Sequence, residues 1–151
     1  MVEYFGIFFE ECESLKIELN EKVKLEKLPN NFHCTFKFAP KNFAFYNEVI
    51  GKDISIALVG YGNDGKNSGF EIDFPQNLNK YFNNYDKQGN LKVPHITTSM
   101  AFDGKAVNTA SLNFEKLNEP ILVTGKFGYF IREKDKAYIS FNQAKVEECS
   151  K

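Results

Sequence analysis

The 151-residue sequence has no tryptophan, two histidines, two methionines and a single arginine, Arg132. That shortage of arginine removes most of the scope for bidentate guanidinium clamps on phosphate and marks Arg132 as a candidate substrate contact. Charge of either sign is also lacking in excess. The formal net charge is −1, so there is no basic field to capture a long duplex through its phosphates. The three cysteines, Cys12, Cys34 and Cys149, are odd in number and irregularly spaced, with no Cys-x-x-Cys pair for zinc or dithiol chemistry. A reducing cytoplasm fits them best. No apolar run approaches the ~20 residues that span a bilayer, so no membrane partner is expected. Met1 to Tyr4 lack the basic flank of a secretory leader, which argues against export.

Large apolar side chains are abundant: 16 Phe and 7 Tyr within a 42% hydrophobic composition supply a core and argue against disorder. The length suits a single domain over residues 1–151. Acidic residues around Ser14 predict a helix running to Val23. Phe32, Cys34, Phe36 and Phe38 alternate with His33, Thr35 and Lys37, which is the period of a half-buried strand ended by Pro40. Asp53 to Tyr61 alternates likewise, and Asn63, Asp64 and Gly65 favour a tight turn into a partner strand from Gly69 to Phe74. Residues 77–90 fit either one helix or a surface loop. Strand character resumes from Val93 to Met100, over Pro120 to Arg132, and again from Lys136 to Phe141. The order reads as an α+β domain dominated by antiparallel sheet.

Both histidines are followed two positions later by threonine, as His33-Cys34-Thr35 and His95-Ile96-Thr97. On a strand, residues i and i+2 share a face, so each segment presents an imidazole beside a hydroxyl while Cys34 and Ile96 point to the core. Two imidazoles are the minimum set for moving a phosphoryl group by acid–base chemistry, one taking a proton from water and the other giving one to the departing oxygen. The threonine hydroxyls can donate to the non-bridging oxygens, where transition-state charge concentrates. Lys37 and Ser99 fall on the same faces by alternation and are candidate rim donors. Tyr61 is a candidate stacking partner for a base, as are Phe127, Tyr129 and Phe130, although core packing is the default for such rings. A lone strand histidine is usually an ordinary half-exposed residue. Ser or Thr follows any residue at +2 roughly one time in ten, so two hits by chance are of the order of one in a hundred. Metal ligation would need distant carboxylates, because no His-x-x-x-His spacing or cysteine cluster accompanies the pair. Neither a metal nor an organic cofactor is expected. The glycine-rich stretch from Gly60 to Asn67 lacks the Gly-Lys-Ser/Thr ending of a phosphate-binding loop and reads as a hairpin turn.

The paired motifs resemble those of the 2H phosphoesterase superfamily, whose members carry two His-hydrophobic-Ser/Thr motifs on strands of two pseudo-symmetric lobes. His33-Cys34-Thr35-Phe36-Lys37-Phe38 follows that pattern throughout. His95-Ile96-Thr97-Thr98-Ser99-Met100 departs from it at Thr98, where an apolar residue is usual. The stretch from Asp103 to Thr109 is similar to the loop after the second motif in some members. The resemblance implies a bilobal fold with two antiparallel sheets lining a central cleft. It further implies metal-independent hydrolysis, or reverse ligation, at 2′,3′-cyclic phosphate or 2′-5′ linkages of RNA, with an RNA end or small nucleotide as the substrate; a monomer is expected. His95 would activate water and His33 would protonate the leaving oxygen, or the reverse. Two rivals stand beside this reading: cleavage of 2′-5′ oligonucleotides or cyclic oligonucleotide messengers, and a non-catalytic module that grips an RNA end or a small ligand.

Overall fold

The structure, a computed structural model, describes residues 1–143; Cys149 lies outside them. Alternating side chains produce seven strands: β1 (Val2–Phe8), β2 (His33–Phe38), β3 (Asp53–Asn63), β4 (Asn67–Asp73), β5 (His95–Met100), β6 (Glu115–Glu133) and β7 (Lys136–Ser140). Helix is sparse among the described residues, comprising α1 (Glu11–Asn20), the single turn α2 (Phe43–Tyr46) and 3-10 turns at Gln76–Tyr81 and Ala106–Ser111. The fold is therefore α+β with few helices, and every ladder between named strands is antiparallel.

Hydrogen bonds join the strands into one sheet of order β2-β1-β6-β3-β4-β5, with β7 also on β6, in place of two separate sheets. The joint is β6, whose 19 residues pair with β3 along the first part and with β1 and β7 along the second. The sheet curls until its terminal strands, β2 and β5, touch without forming a ladder. One face carries the core, in which Phe5, Ile7, Phe36, Leu58, Phe70, Ile96 and Phe127 are fully buried. Burial of each such side chain stabilises the fold by about 1.5–3 kcal/mol. Tyr46 of α2 closes over Phe5 with ring centroids 4.3 Å apart, and Leu78 and Tyr81 of the first 3-10 turn extend the same cluster. Among the described residues, no helix is long and apolar enough to cross a membrane.

Both motif strands are bulged one residue after the threonine. The β1–β2 register passes from Phe5↔Lys37 to Gly6↔Thr35, so Phe36 is the extra residue; the β4–β5 register passes from Ser68↔Ser99 to Gly69↔Thr97, so Thr98 is. A glycine faces each threonine because the strands approach too closely for a side chain. A Cβ on Gly6 would sit 2.4 Å from the Cys34 carbonyl oxygen, and one on Gly69 would sit 2.5 Å from that of Ile96. An extra residue resets the alternation, so everything beyond it changes face.

Two expectations about local structure are corrected. Helix α1 stops at Asn20 instead of reaching Val23, because residues 21–27 strap onto the sheet. Lys27 bridges to Met100, the Val23 N–H donates to the Tyr61 hydroxyl at 3.3 Å, and Glu21 is taken up by hydroxyls of β4 and β5. Residues 77–90 are neither one helix nor wholly loop: the 3-10 turn ends at Tyr81, and a turn built on Asp86 and Gly89 follows.

Candidate active site

His33 and Thr35 from β2 and His95 and Thr97 from β5 line one pocket of about 90 Å³, together with Phe38, Asn84, Lys92, Ala106 and Val107. The two motifs are 62 positions apart in sequence (95 minus 33) and lie on opposite ends of the sheet order. Curling of the sheet brings them together. Between them sits Cys34, fully buried, with the His95 backbone N–H against its sulfur. Burial pushes that thiol up to about 12, so Cys34 stays protonated and serves as packing, not as a nucleophile.

The two imidazoles are oriented alike. His33 Nδ1 lies 2.9 Å from the Asn31 side-chain oxygen, and His95 Nδ1 lies 2.7 Å from the Val93 carbonyl oxygen; both partners are two residues upstream. Carbonyl oxygens only accept, so each Nδ1 carries the proton and donates it, leaving Nε2 as the nitrogen able to take a proton. His33 also stacks on Tyr4 at 4.9 Å, and Tyr4 in turn stacks on Phe130 at 5.3 Å, which fixes the ring from its other side. Burial lowers His33 from 6.5 to about 4; the bond to Asn31 opposes this and charge on His95 adds to it. Burial lowers His95 as well, opposed by the bond to Val93 and reinforced by the Lys92 ammonium. In the free protein both rings are therefore neutral near pH 7.

The hydroxyls differ in their surroundings. Thr97 donates to Thr109 Oγ1 at 2.8 Å, and the same oxygen accepts from Asn67 Nδ2 at 2.9 Å. Asn67 Nδ2 also reaches the Lys105 carbonyl oxygen at 2.7 Å, and Asn67 and Thr109 are both fully buried. Thr35 has its carbonyl held by Asn84 Nδ2 at 3.4 Å, and its hydroxyl makes no hydrogen bond to a described residue.

The remaining candidates lie elsewhere. Lys37 is on the face opposite His33 because of the bulge at Phe36, and it lines a separate cavity beside Pro40 and Tyr46; Phe38 takes the pocket position. Ser99 is turned away from His95 by the bulge at Thr98. Fully buried, it donates to Glu21 Oε2 at 2.6 Å and accepts from the Leu25 N–H at 2.9 Å. Tyr61 packs on Phe70 at 5.2 Å with its hydroxyl 2.6 Å from Ser68 Oγ, so its ring is not free to stack on a base. Arg132 is exposed, paired with Glu3 beside the Phe130 ring, and lines no part of the histidine pocket. Phe127 and Tyr129 are core.

Asn84, Lys92 and Thr109 were not foreseen as pocket or supporting residues. Lys92 and Asn84 belong to the 77–90 region and its exit, where no periodicity singles out a residue. Thr109 falls in the 103–109 stretch, and only the fold reveals its bond to Thr97. Among the described residues, no three His, Cys, Asp or Glu side chains converge as a ligand set. No protein-family model matches this chain, and no curated protein matches it.

Proposed function

We propose that the chain is a phosphodiesterase that hydrolyses a 2′,3′-cyclic phosphate at an RNA end or on a nucleotide by two-histidine acid–base catalysis without a metal. The observation that carries the reading is the convergence of both His-x-Thr pairs on one phosphate-sized pocket, each imidazole with Nδ1 tied back and Nε2 left available. Water attacks phosphorus as the bond to a ribose oxygen breaks; one Nε2 takes the water proton and the other imidazolium gives a proton to the departing oxygen. The Thr35 and Thr97 hydroxyls donate to the non-bridging oxygens. The resemblance to the 2H phosphoesterases supports the same chemistry, and the two arms of the sheet on either side of β6 are the counterparts of that superfamily's lobes.

Burial lowers both rings, so either imidazole can be the neutral group that accepts the proton of water, with the other as the acid. The bound phosphate supplies the negative charge that lets the acid hold its proton.

A cyclic-phosphate-ended oligonucleotide offered in excess EDTA tests the proposal. His33→Ala and His95→Ala should each lose turnover by about 10²–10⁴-fold, and the wild type should be indifferent to chelation. A substrate with a nitrophenol leaving group needs no acid, so it should restore turnover to one of the two variants and not to the other, which identifies the acid. Undiminished activity in either variant on the oligonucleotide would rule out the paired-imidazole mechanism.

A further inference from the structure

The histidine pocket, at about 90 Å³, has room for roughly three waters. That suits a phosphate group and falls well short of the ~300–1,000 Å³ that whole small-molecule ligands occupy. Adjoining it is a second cavity of about 410 Å³, bounded by the 85–93 turn on one side and by residues 107–111 on the other. Lys92 and Val107 line both cavities, so the two lie side by side. We propose that this groove holds the nucleoside joined to the reacting phosphate, with its base stacked on Tyr85 and Lys92 placed between base and phosphate. The proposal rests on the phosphodiesterase reading and deepens it by assigning the residues that would hold the nucleoside of its substrate.

The groove presents apolar surface to water that a ligand would cover. Tyr85, Leu91 and Val107 are 52%, 55% and 58% exposed, yet all three line this one cavity. Their presentation is built in advance. Tyr85 and Leu91 form an isolated bridge, the Asp86 N–H donates to the Asn90 carbonyl at 2.8 Å, and the Lys92 N–H donates to the Asn84 carbonyl at 2.8 Å. A preorganised loop spares the ligand the cost of ordering it. The one carboxylate on this wall, Asp86, is occupied within the turn, where it accepts from the backbone of Gln88 and Asn90 at 2.9 Å. Lys87 and Lys92 supply the cations nearby.

The same turn is tied to both motifs. Asn84 at its start holds the Thr35 carbonyl, and Val93 at its end accepts the His95 Nδ1 proton. A nucleoside seated there would thus bear on the segment that orients one imidazole. Stacking on an aromatic side chain typically changes affinity by about 5- to 150-fold per base, whereas a phosphate alone would not reach Tyr85.

Titration calorimetry with two monoester probes, adenosine 3′-phosphate and inorganic phosphate, tests the proposal without turnover. The wild type should bind the nucleotide more tightly. Tyr85→Ala should weaken the nucleotide about 5- to 150-fold and leave inorganic phosphate unchanged, and Tyr85→Phe should behave as wild type. Equal nucleotide affinity in wild type and Tyr85→Ala, or a nucleotide bound no better than phosphate, would overturn the assignment. Because Tyr85 is exposed and binding is read directly, failure here leaves the histidine chemistry standing. Conversely, turnover retained by the histidine variants would leave this binding result untouched.

Discussion

Thr97 and Thr35 carry the same side chain but differ in readiness. Thr97 donates its proton to Thr109, so the proposed donation to a phosphate oxygen requires that proton to swing into the pocket. Thr109 Oγ1 then keeps the bond from the Asn67 amide and can turn its own O–H onto Thr97 Oγ1, which holds that oxygen in place. In the proposed reaction Thr109 is thus a positioning residue, two hydrogen bonds removed from the phosphate. Thr109→Val keeps the shape and removes the oxygen, and it should lower kcat about tenfold, the share of one neutral hydrogen bond, with little change in KM. Thr109→Ser should recover the loss, and a Val variant that matched the Ser variant in kcat would dismiss the role. Sequence reasoning located the four pocket residues because identical triplets at strand spacing carry chemical information of their own. It could not locate Thr109 or Asn67, which have no local pattern and acquire meaning only where strand and 3-10 turn meet.

The bulges explain why two substrate-contact expectations failed together. Strict alternation places Lys37 with Thr35 and Ser99 with Thr97, and one inserted residue per strand sends both to the other side. Sequence reasoning located the strands themselves, because apolar residues at every second position dominate these segments. The bulges were hidden because they depend on which glycine stands across the ladder. They also make the glycines testable. Gly69→Ala drives a methyl into the Ile96 carbonyl and the Thr109 side chain, so urea titration should show a loss of about 1–3 kcal/mol or more. Gly65 sits in the β3–β4 turn at φ +84 with open space around it, so its Ala variant should lose about 1–2 kcal/mol from backbone strain alone, without a clash. Equal stability of Gly69→Ala and wild type would show that the strands are not so close.

Considered as a whole, the molecule stakes stability on keeping two imidazoles uncharged. Below pH 6.5 the unfolded chain takes up protons that native His33 refuses until about pH 4. Stability is therefore undiminished by this group above 6.5 and declines as the pH falls through that window, by at most about 3 kcal/mol for His33. Lowering of His95 adds in the same direction. Thermal midpoints measured from pH 7 to pH 4 should fall more steeply for wild type than for His33→Gln, and parallel slopes would contradict the half-buried neutral ring. Phosphate present in the buffer should shallow the wild-type slope, because the anion favours the charged rings. The overall α+β class was legible from patterning alone. The single continuous sheet was not, since the length of β6 that joins its arms is set by pairing on both flanks and not by any signal within the strand.

The unladdered contact between β2 and β5 gives the pocket an unusual dependence on distant parts of the chain. Following the β-ladders from one imidazole to the other means going round the entire ring of strands, through β1, β6, β3 and β4, while the direct links are the His95 N–H on the Cys34 sulfur and the turn that Asn84 opens. The gap between the rings therefore depends on the inter-strand spacings of that circuit as well as on these two short ties, much as the last stave of a cask takes up the error of all the others. A substitution anywhere on the circuit that alters one spacing would mistune the proposed proton donor and acceptor while leaving each of them chemically intact.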